Sequence, residues 1–226
     1  MENMVKDNKK LFKFTSIQSW LNEQETNKPL YGCIMMEPNK IESWEEIHLA
    51  GIDENDLYEK PNDDSYGLEE EPHITLLYGI HEDKIDPSVI VDMMEQKMEP
   101  ITVEISEIDV FENEEYDVVK YKVPITKELK KYRDMFMSSF ENTQKFDGYN
   151  PHITIAYVKP GLGKKYKKKL DNPFKVKFVK GVYSYHKNQK GKEEELSRRV
   201  VNLEPEKMEH TDSGLLKSRP IKVKLN

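Results

Sequence analysis

Hydrophobic and polar positions in the first half of the chain form short apolar blocks separated by turn residues. Residues 30–36 and 73–78 are apolar runs that predict two strands, the second of them ended by Gly79. Asp86 followed by proline is typical of a helix start, and apolar residues at helical spacing then predict a helix over 87–98. The turn-rich segment between the two strands is interpreted as a long excursion.

The second half repeats this mixture of strands and a helix. Residues 101–112 alternate with period two and predict a hairpin with 116–124, while Thr126 is placed to cap a helix with one apolar stripe. Further strands are predicted toward the end of the chain, at 152–158, 174–187 and 195–204, and the last two can form a hairpin. Each half thus supplies strands and a helix, which predicts an α+β duplication.

Two heptapeptides, PHITLLY and PHITIAY, are identical at five positions in surroundings that share little else. In a strand, side chains two residues apart share a face, so His73 and Thr75 point to one side, and His152 and Thr154 do the same in the second copy. If a pseudo-twofold relates the halves, the two pairs face each other across a cleft. One His-x-Thr alone is a weak signal, whereas the matched pair is specific.

The chain resembles the two-histidine (2H) phosphoesterase superfamily, which is named for two His-x-Thr/Ser motifs in tandem lobes. The resemblance implies a bilobal fold, with two mostly antiparallel sheets lining a central cleft and helices on the outside. It implies that His73 and His152 are the catalytic pair, with Thr75 and Thr154 as phosphate ligands.

The same resemblance divides the chain into three parts. A two-lobed domain is expected over 30–203, with lobes of roughly 30–110 and 111–203. An N-terminal extension of 1–29 and a C-terminal tail of 204–226 flank it. The long acidic excursion and these flanking segments depart from a minimal member of the superfamily, so they leave the substrate open.

The chemistry of the paired residues agrees with this interpretation. Cleavage of a phosphodiester needs a base to activate the nucleophile and an acid to protonate the leaving oxygen, and two histidines can divide these tasks near neutral pH. Threonine hydroxyls can donate hydrogen bonds to the phosphate oxygens. The sequence has no His-Glu-x-x-His, cysteine pair or EF-hand spacing, so we expect neither a metal nor another cofactor.

Charge is distributed unevenly along the chain. The net charge is -7, yet residues 37–71 are strongly acidic and residues 159–180 are lysine-rich. Because a positive field attracts anions, Lys164 and Lys165 are candidate substrate-binding residues, although a solvated surface is an equal alternative. Tyr31 opens the strand expected beside the first motif and could stack on a base.

Other chemically notable residues are assigned structural roles. Regular alternation places Tyr78 and Tyr157 on the face opposite the histidines, in the core. Cys33 lies in an apolar run and is expected to be a buried, inert thiol. Structural or solvated roles are expected for the remaining histidines, His48, His81, His186 and His210.

Composition indicates a well-solvated protein. The chain has 36% hydrophobic residues, 34% charged residues and a mean hydropathy of -0.81. Its sequence contains no apolar run long enough to span a membrane. The N-terminal residues lack the apolar region of a secretory signal, so a cytoplasmic location is expected, which would be the host cytoplasm if the protein is viral.

Three functions remain open at this point. The favoured one is a metal-independent phosphodiesterase acting on a cyclic oligonucleotide, as in the phage anti-CBASS nucleases of this superfamily. The second is an RNA enzyme that opens 2′,3′-cyclic phosphates or processes RNA ends. The third is a protein that binds and sequesters a nucleotide without cleaving it. The oligomeric state is left open.

Overall fold

The computed structural model describes residues 31–39, 51–61, 63, 65–82, 85–144, 148–187 and 195–204; for residues 186, 187, 195 and 196 it describes the backbone alone. Predictions for residues 1–29, His48, the His186 side chain and the tail beyond residue 204 lie outside this part. The strands are β1 (Tyr31–Pro38), β2 (Ile74–His81), β3 (Ile101–Phe111), β4 (Asp117–Lys122), β5 (His152–Val158), β6 (Lys168–Lys187) and β7 (Glu195–Asn202). The α-helices are α1 (Pro87–Lys97) and α2 (Lys127–Ser139).

All pairings among these strands are antiparallel, and they form one sheet in the order β2-β1-β6-β3-β4-β5, with β7 paired to β6. The predicted α+β fold with mostly antiparallel strands is confirmed. The two expected sheets are joined into one, because β6 is 20 residues long and pairs with β3 through its first half and with β1 through its second. The lobe boundaries stay a prediction.

Both predicted helices are present and begin at the predicted caps. The Asp86 carboxylate accepts a hydrogen bond of 2.9 Å from the backbone N–H of Ser88, and Pro87 is the first helical residue of α1. The Thr126 hydroxyl accepts one of 3.1 Å from the N–H of Leu129 at the start of α2. Helix α1 packs on β6 and β7, and α2 packs on β2.

The helices cover one face of the sheet and enclose the main hydrophobic core with it. Helix α2 contributes Leu129, Tyr132 and Phe136 to this core. Two smaller buried clusters, one around Cys33 and the other around Tyr157, are separate from it. Neither helix in the described residues has the length and apolar character that crossing a lipid bilayer requires.

The predicted hairpins β3–β4 and β6–β7 are confirmed, but the prediction that the second strand ends at Gly79 is wrong. Strand β2 continues to His81, because the register skips Gly79 at its positive φ of 80° and the next two residues again pair with β1. The segment after α2 also pairs with the strand at this point. The Thr143 N–H donates to the Gly79 carbonyl over 2.9 Å, and the His81 N–H donates to the Glu141 carbonyl over 3.0 Å.

The described part of the acidic excursion covers the outer edge of β5. Leu57 and Leu68 form isolated bridges with Val158 and Ala156, so two short pieces of the excursion lie along this strand. A short 3-10 helix over Gly163–Tyr166 fastens them further, since the Tyr166 hydroxyl donates to the Asp56 carboxylate. This arrangement places the excursion next to the second heptapeptide.

Candidate active site

A β-bulge occurs at the same place in both heptapeptides. In β2, Thr75 pairs with Met35 and Tyr78 with Cys33, so three steps along β2 match two along β1. Such an extra residue reverses the alternation, and side chains of paired residues share a face. The tyrosine therefore lies on the same face as the threonine.

The second heptapeptide repeats this feature, since Thr154 pairs with Lys120 and Tyr157 with Val118. Tyr157 also hydrogen-bonds the Thr154 side chain. The prediction that Tyr78 and Tyr157 lie opposite the histidines is wrong, because it assumed unbroken alternation. The bulge explains why the heptapeptides share a tyrosine as well as His-x-Thr.

Each histidine is oriented by a backbone carbonyl two residues before it. The Nδ1 atom of His73 is 2.7 Å from the Glu71 carbonyl oxygen, and that of His152 is 2.9 Å from the Asn150 carbonyl oxygen. A carbonyl only accepts hydrogen bonds, so Nδ1 carries the hydrogen in both rings and Nε2 is left for another partner. In both copies a proline follows this carbonyl and restricts its backbone, which accounts for the shared proline.

The two motifs approach each other although β2 and β5 are opposite ends of the strand order. These strands are in contact, and the charge of His73 contributes to the pKa of His152. Burial, together with the positive charges of Lys120 and His73, lowers the pKa of His152 to about 4, against the hydrogen bond to Asn150. His152 is therefore neutral near pH 7.

The His152 ring packs edge-on against Phe111, with 5.0 Å between ring centroids. Below it lies Lys120, which is fully buried with its Nζ 3.0 Å from an Asp109 carboxylate oxygen and 4.1 Å from the Phe111 centroid. Sequence reasoning missed Lys120, because its place on the polar face of β4 gave no sign of burial. The predicted β3–β4 hairpin contained a usable signal, since it pairs Asp109 with Lys120.

The first motif is held by contacts from several elements. The Tyr149 hydroxyl donates to the Thr75 carbonyl over 3.1 Å, which ties the segment before the second motif to the first. Arg198 on β7 contacts the carboxylates of Glu71, at 2.6 Å, and Glu37.

Cys33 pairs with β2 beside these residues and is fully buried, as predicted, and burial raises the pKa of its thiol to about 12. Tyr31, the predicted base-stacking residue, is half-buried and packs edge-on against His81 with 5.3 Å between centroids.

Lys164 and Lys165 lie in the 3-10 helix and contact carboxylates. The Nζ of Lys164 is 3.0 Å from a Glu112 oxygen, and Lys165 pairs with Asp56 of the excursion. Their assignment to substrate binding stays a prediction.

The excursion itself contains a cavity of about 540 Å³, which is lined by three acidic residues and Lys60. The excess of negative charge in its lining disfavours a polyanion as ligand.

The described residues contain no cluster of three or more His, Cys, Asp or Glu side chains suited to a metal ion. Metal independence stays a prediction to be tested by experiment.

Residues 37–180 match the model of the 2′-5′ RNA ligase superfamily, which covers more than half of the chain. The chain belongs to this superfamily, whose members are the 2H phosphoesterases. Solved structures similar to it include E. coli LigT complexed with 3′-AMP, at 10% identity over 78% of this chain and 99% of that chain, with a TM-score of 0.49. Kluyveromyces marxianus Usb1 is similar at 10% identity over 76% of this chain and 98% of that chain, with a TM-score of 0.49. No curated protein sequence matches significantly.

Membership of the superfamily confirms the resemblance drawn from the two heptapeptides. It supports phosphoesterase chemistry in general.

Proposed function

We propose that the chain is a metal-independent phosphodiesterase that cleaves a small cyclic oligonucleotide, with His73 and His152 as acid and base and Thr75 and Thr154 as phosphate ligands. The observation that carries this proposal is the matched orientation of the two rings by the carbonyls of Glu71 and Asn150, at 2.7 and 2.9 Å. Both rings use Nδ1 in the hydrogen bond to the carbonyl, so Nε2 of each ring is not engaged in that bond. Two histidines oriented in the same way suit proton transfer to and from one phosphodiester.

The proposed chemistry needs no group beyond these side chains. The neutral imidazole accepts a proton from water or from a ribose 2′-hydroxyl as this oxygen bonds to phosphorus. The protonated imidazole donates its Nε2 proton to the alkoxide that leaves. The threonine hydroxyls donate hydrogen bonds to the non-bridging oxygens, where negative charge accumulates in the transition state.

A small substrate is favoured by the excursion beside the second motif. Tyr58 and Tyr66 pack with Tyr116 and Tyr157, with centroid distances of 5.0 to 5.6 Å. These rings form a buried cluster that reaches Thr154 through Tyr157, and bulk at this place restricts a long polymer more than a compact ring. A cytoplasmic location, which such a substrate would require, stays a prediction.

A second candidate is an enzyme that opens 2′,3′-cyclic phosphates or processes RNA ends. The observation that favours it is the superfamily itself, which is described by RNA ligase activity. The acid and base would act in the same way, so the two candidates differ only in the substrate.

The deciding experiment incubates the purified chain with cyclic dinucleotides, cyclic trinucleotides and 2′,3′-cyclic-phosphate oligoribonucleotides, with product analysis by mass spectrometry. We expect cleavage of a cyclic oligonucleotide that persists in excess EDTA. Cleavage of the RNA ends alone would select the second candidate. Loss of activity in EDTA with recovery on adding a divalent ion would overturn the metal-independent mechanism.

Single substitutions separate an enzyme from a sequestering protein. His73→Ala and His152→Ala should each lower kcat by about 10²–10⁴-fold, and the double variant should lose far less than the product. His81→Gln, at the far end of β2, is the matched control and should change kcat by less than about threefold. Thr75→Val and Thr154→Val should lower kcat and should also weaken substrate binding, which calorimetry measures. A sequestering protein would be identified by two results together: the wild type binds a nucleotide tightly without turning it over, and both histidine variants lose this binding.

A further inference from the structure

The second motif has a buried positive charge beneath it. Lys120 has no solvent-exposed surface, and its Nζ is 3.0 Å from Asp109 Oδ2. Lys167 approaches the other oxygen of the same carboxylate at 2.7 Å. Burial favours a higher pKa for Asp109, but the hydrogen bonds from Lys167 and Lys120 outweigh this effect and hold the pKa well below its usual range. One carboxylate therefore balances two ammonium groups, which leaves one excess positive charge.

This charge lies close to His152 without reaching the substrate. Both groups contact Phe111, with Lys120 Nζ 4.1 Å and the imidazole 5.0 Å from its ring centroid. These distances place Nζ within about 9 Å of the imidazole. Because Lys120 is completely buried, it acts on His152 through its field rather than through contact with a ligand.

The other charged groups around His152 do not cancel this excess. On β4, Lys122 pairs with His152 in the backbone register, but its Nζ lies 3.4 Å from Glu107 on β3, so the pair is neutral. His73, which precedes β2, adds a positive charge when protonated. Asp109 is already shared by the two lysines.

Charges beside the first motif have the opposite balance. Arg198 contacts two carboxylates, Glu71 at 2.6 Å and Glu37, so one positive charge faces two negative ones. The site is thus electrostatically asymmetric although its two heptapeptides are nearly identical.

We propose that Lys120 is a positioning residue whose field disfavours a proton on His152 relative to His73, so that His152 acts as the general base and His73 as the general acid. This inference rests on the proposed function. His152 Nε2 takes the proton of the attacking hydroxyl as the new O–P bond forms. His73 Nε2–H gives its proton to the leaving oxygen as the old P–O bond breaks, so the pair ends with its proton moved from one ring to the other.

The test measures the pKa of His152 by NMR titration of the imidazole in the full-length protein, beside the pH profile of kcat/KM. Lys120→Met removes the charge and retains the packing against Phe111. Lys120→Arg keeps the charge. Lys167→Met removes the exposed partner of Asp109 and does not disturb the core, so it is informative even if Lys120→Met fails to fold. Lys122→Met is the matched control on the same strand and face.

We expect Lys120→Met to raise the pKa of His152 and the acidic limb of the profile by about one pH unit, as Coulomb's law gives for about 9 Å at an effective dielectric constant of about 20. Lys167→Met should shift both in the same direction by less, because its ammonium group is exposed and screened. Lys120→Arg should stay near the wild type, and Lys122→Met should shift both far less than Lys120→Met does, because the Lys122–Glu107 pair is exposed and screened by solvent.

Two outcomes would overturn the inference. One is an unchanged His152 titration in folded Lys120→Met or, if that variant does not fold, in Lys167→Met. The other is an acidic limb that follows the titration of His73 instead of His152. Absence of turnover on every substrate would count against the proposed function alone, because the NMR titration reports the effect of Lys120 without activity.

Discussion

Replacing Gly79 with alanine tests the junction between the two halves of the site. Gly79 has a φ of 80°, and a Cβ placed on it would lie 2.4 Å from the Thr143 hydroxyl oxygen. A left-handed conformation costs a residue with a Cβ about 1 kcal/mol, and crowding of a packed site adds about 1–3 kcal/mol. The expected loss in the free energy of unfolding is therefore about 2–4 kcal/mol.

Equilibrium urea denaturation followed by circular dichroism measures this loss, and the chain provides a control. Gly67 has a φ of 88° with no atom within 4 Å of its Cβ position, so Gly67→Ala carries the conformational cost without the crowding. We expect it to lose only about 1 kcal/mol. Adding Thr143→Ala to Gly79→Ala removes the crowding atom and should return the loss toward the Gly67→Ala value.

If Gly79→Ala costs no more than Gly67→Ala, the segment after α2 does not press on β2 as described. The junction also bears on activity, because the same segment continues to Tyr149, whose hydroxyl holds the Thr75 carbonyl. We therefore expect kcat of Gly79→Ala to fall at temperatures where the variant is still folded.

Three further predictions concern the charges and hydroxyls of the site. Replacing Lys164 and Lys165 with Gln should raise KM at low salt and flatten its salt dependence, and an unchanged KM would leave them as ion-pair partners of the excursion and the β3–β4 turn. Because the pKa of His152 is about 4, below that of an unfolded histidine, the unfolded chain takes up a proton that the folded chain does not as the pH falls from about 6.5 to 4. Stability should fall in this window by up to about 2–3 kcal/mol, and urea denaturation of His152→Gln should show a smaller fall. Tyr157→Phe removes a hydrogen-bond partner of Thr154 and should lower kcat by about fivefold; equal rates would show that the hydroxyl does not matter.

Much of the fold follows from local signals in the sequence. Asp86 and Thr126 mark helix starts because a short polar side chain caps free N–H groups wherever it occurs. Alternation predicts the β3–β4 hairpin for the same local reason. The joining of the sheet by β6 could not be predicted, since its first residues, KKLDNP, have poor strand propensity and are held by pairing with β3.

The same distinction between local signals and contacts with other strands applies to the candidate site residues. His73 and His152 were identifiable because the motif is written twice. The bulges that move Tyr78 and Tyr157 onto the site face depend on pairing with neighbouring strands, and nothing within one strand specifies them. The burial of Lys120 depends on Asp109 and Phe111 from another strand, so a sequence shows only one lysine among many.

The length of β6 has a consequence for the spacing of the two histidines. A straight strand of 20 residues would extend roughly 65 Å, whereas a compact chain of this size has a radius of gyration of about 17 Å, so β6 has to curve. The sheet curves with it, since β2 and β5, the two ends of the strand order, are in contact, and the proposed phosphodiester would lie between their two heptapeptides. The distance between the two proposed catalytic histidines is thus a property of the whole sheet, and we expect substitutions along the middle of β6, far from either heptapeptide, to change it.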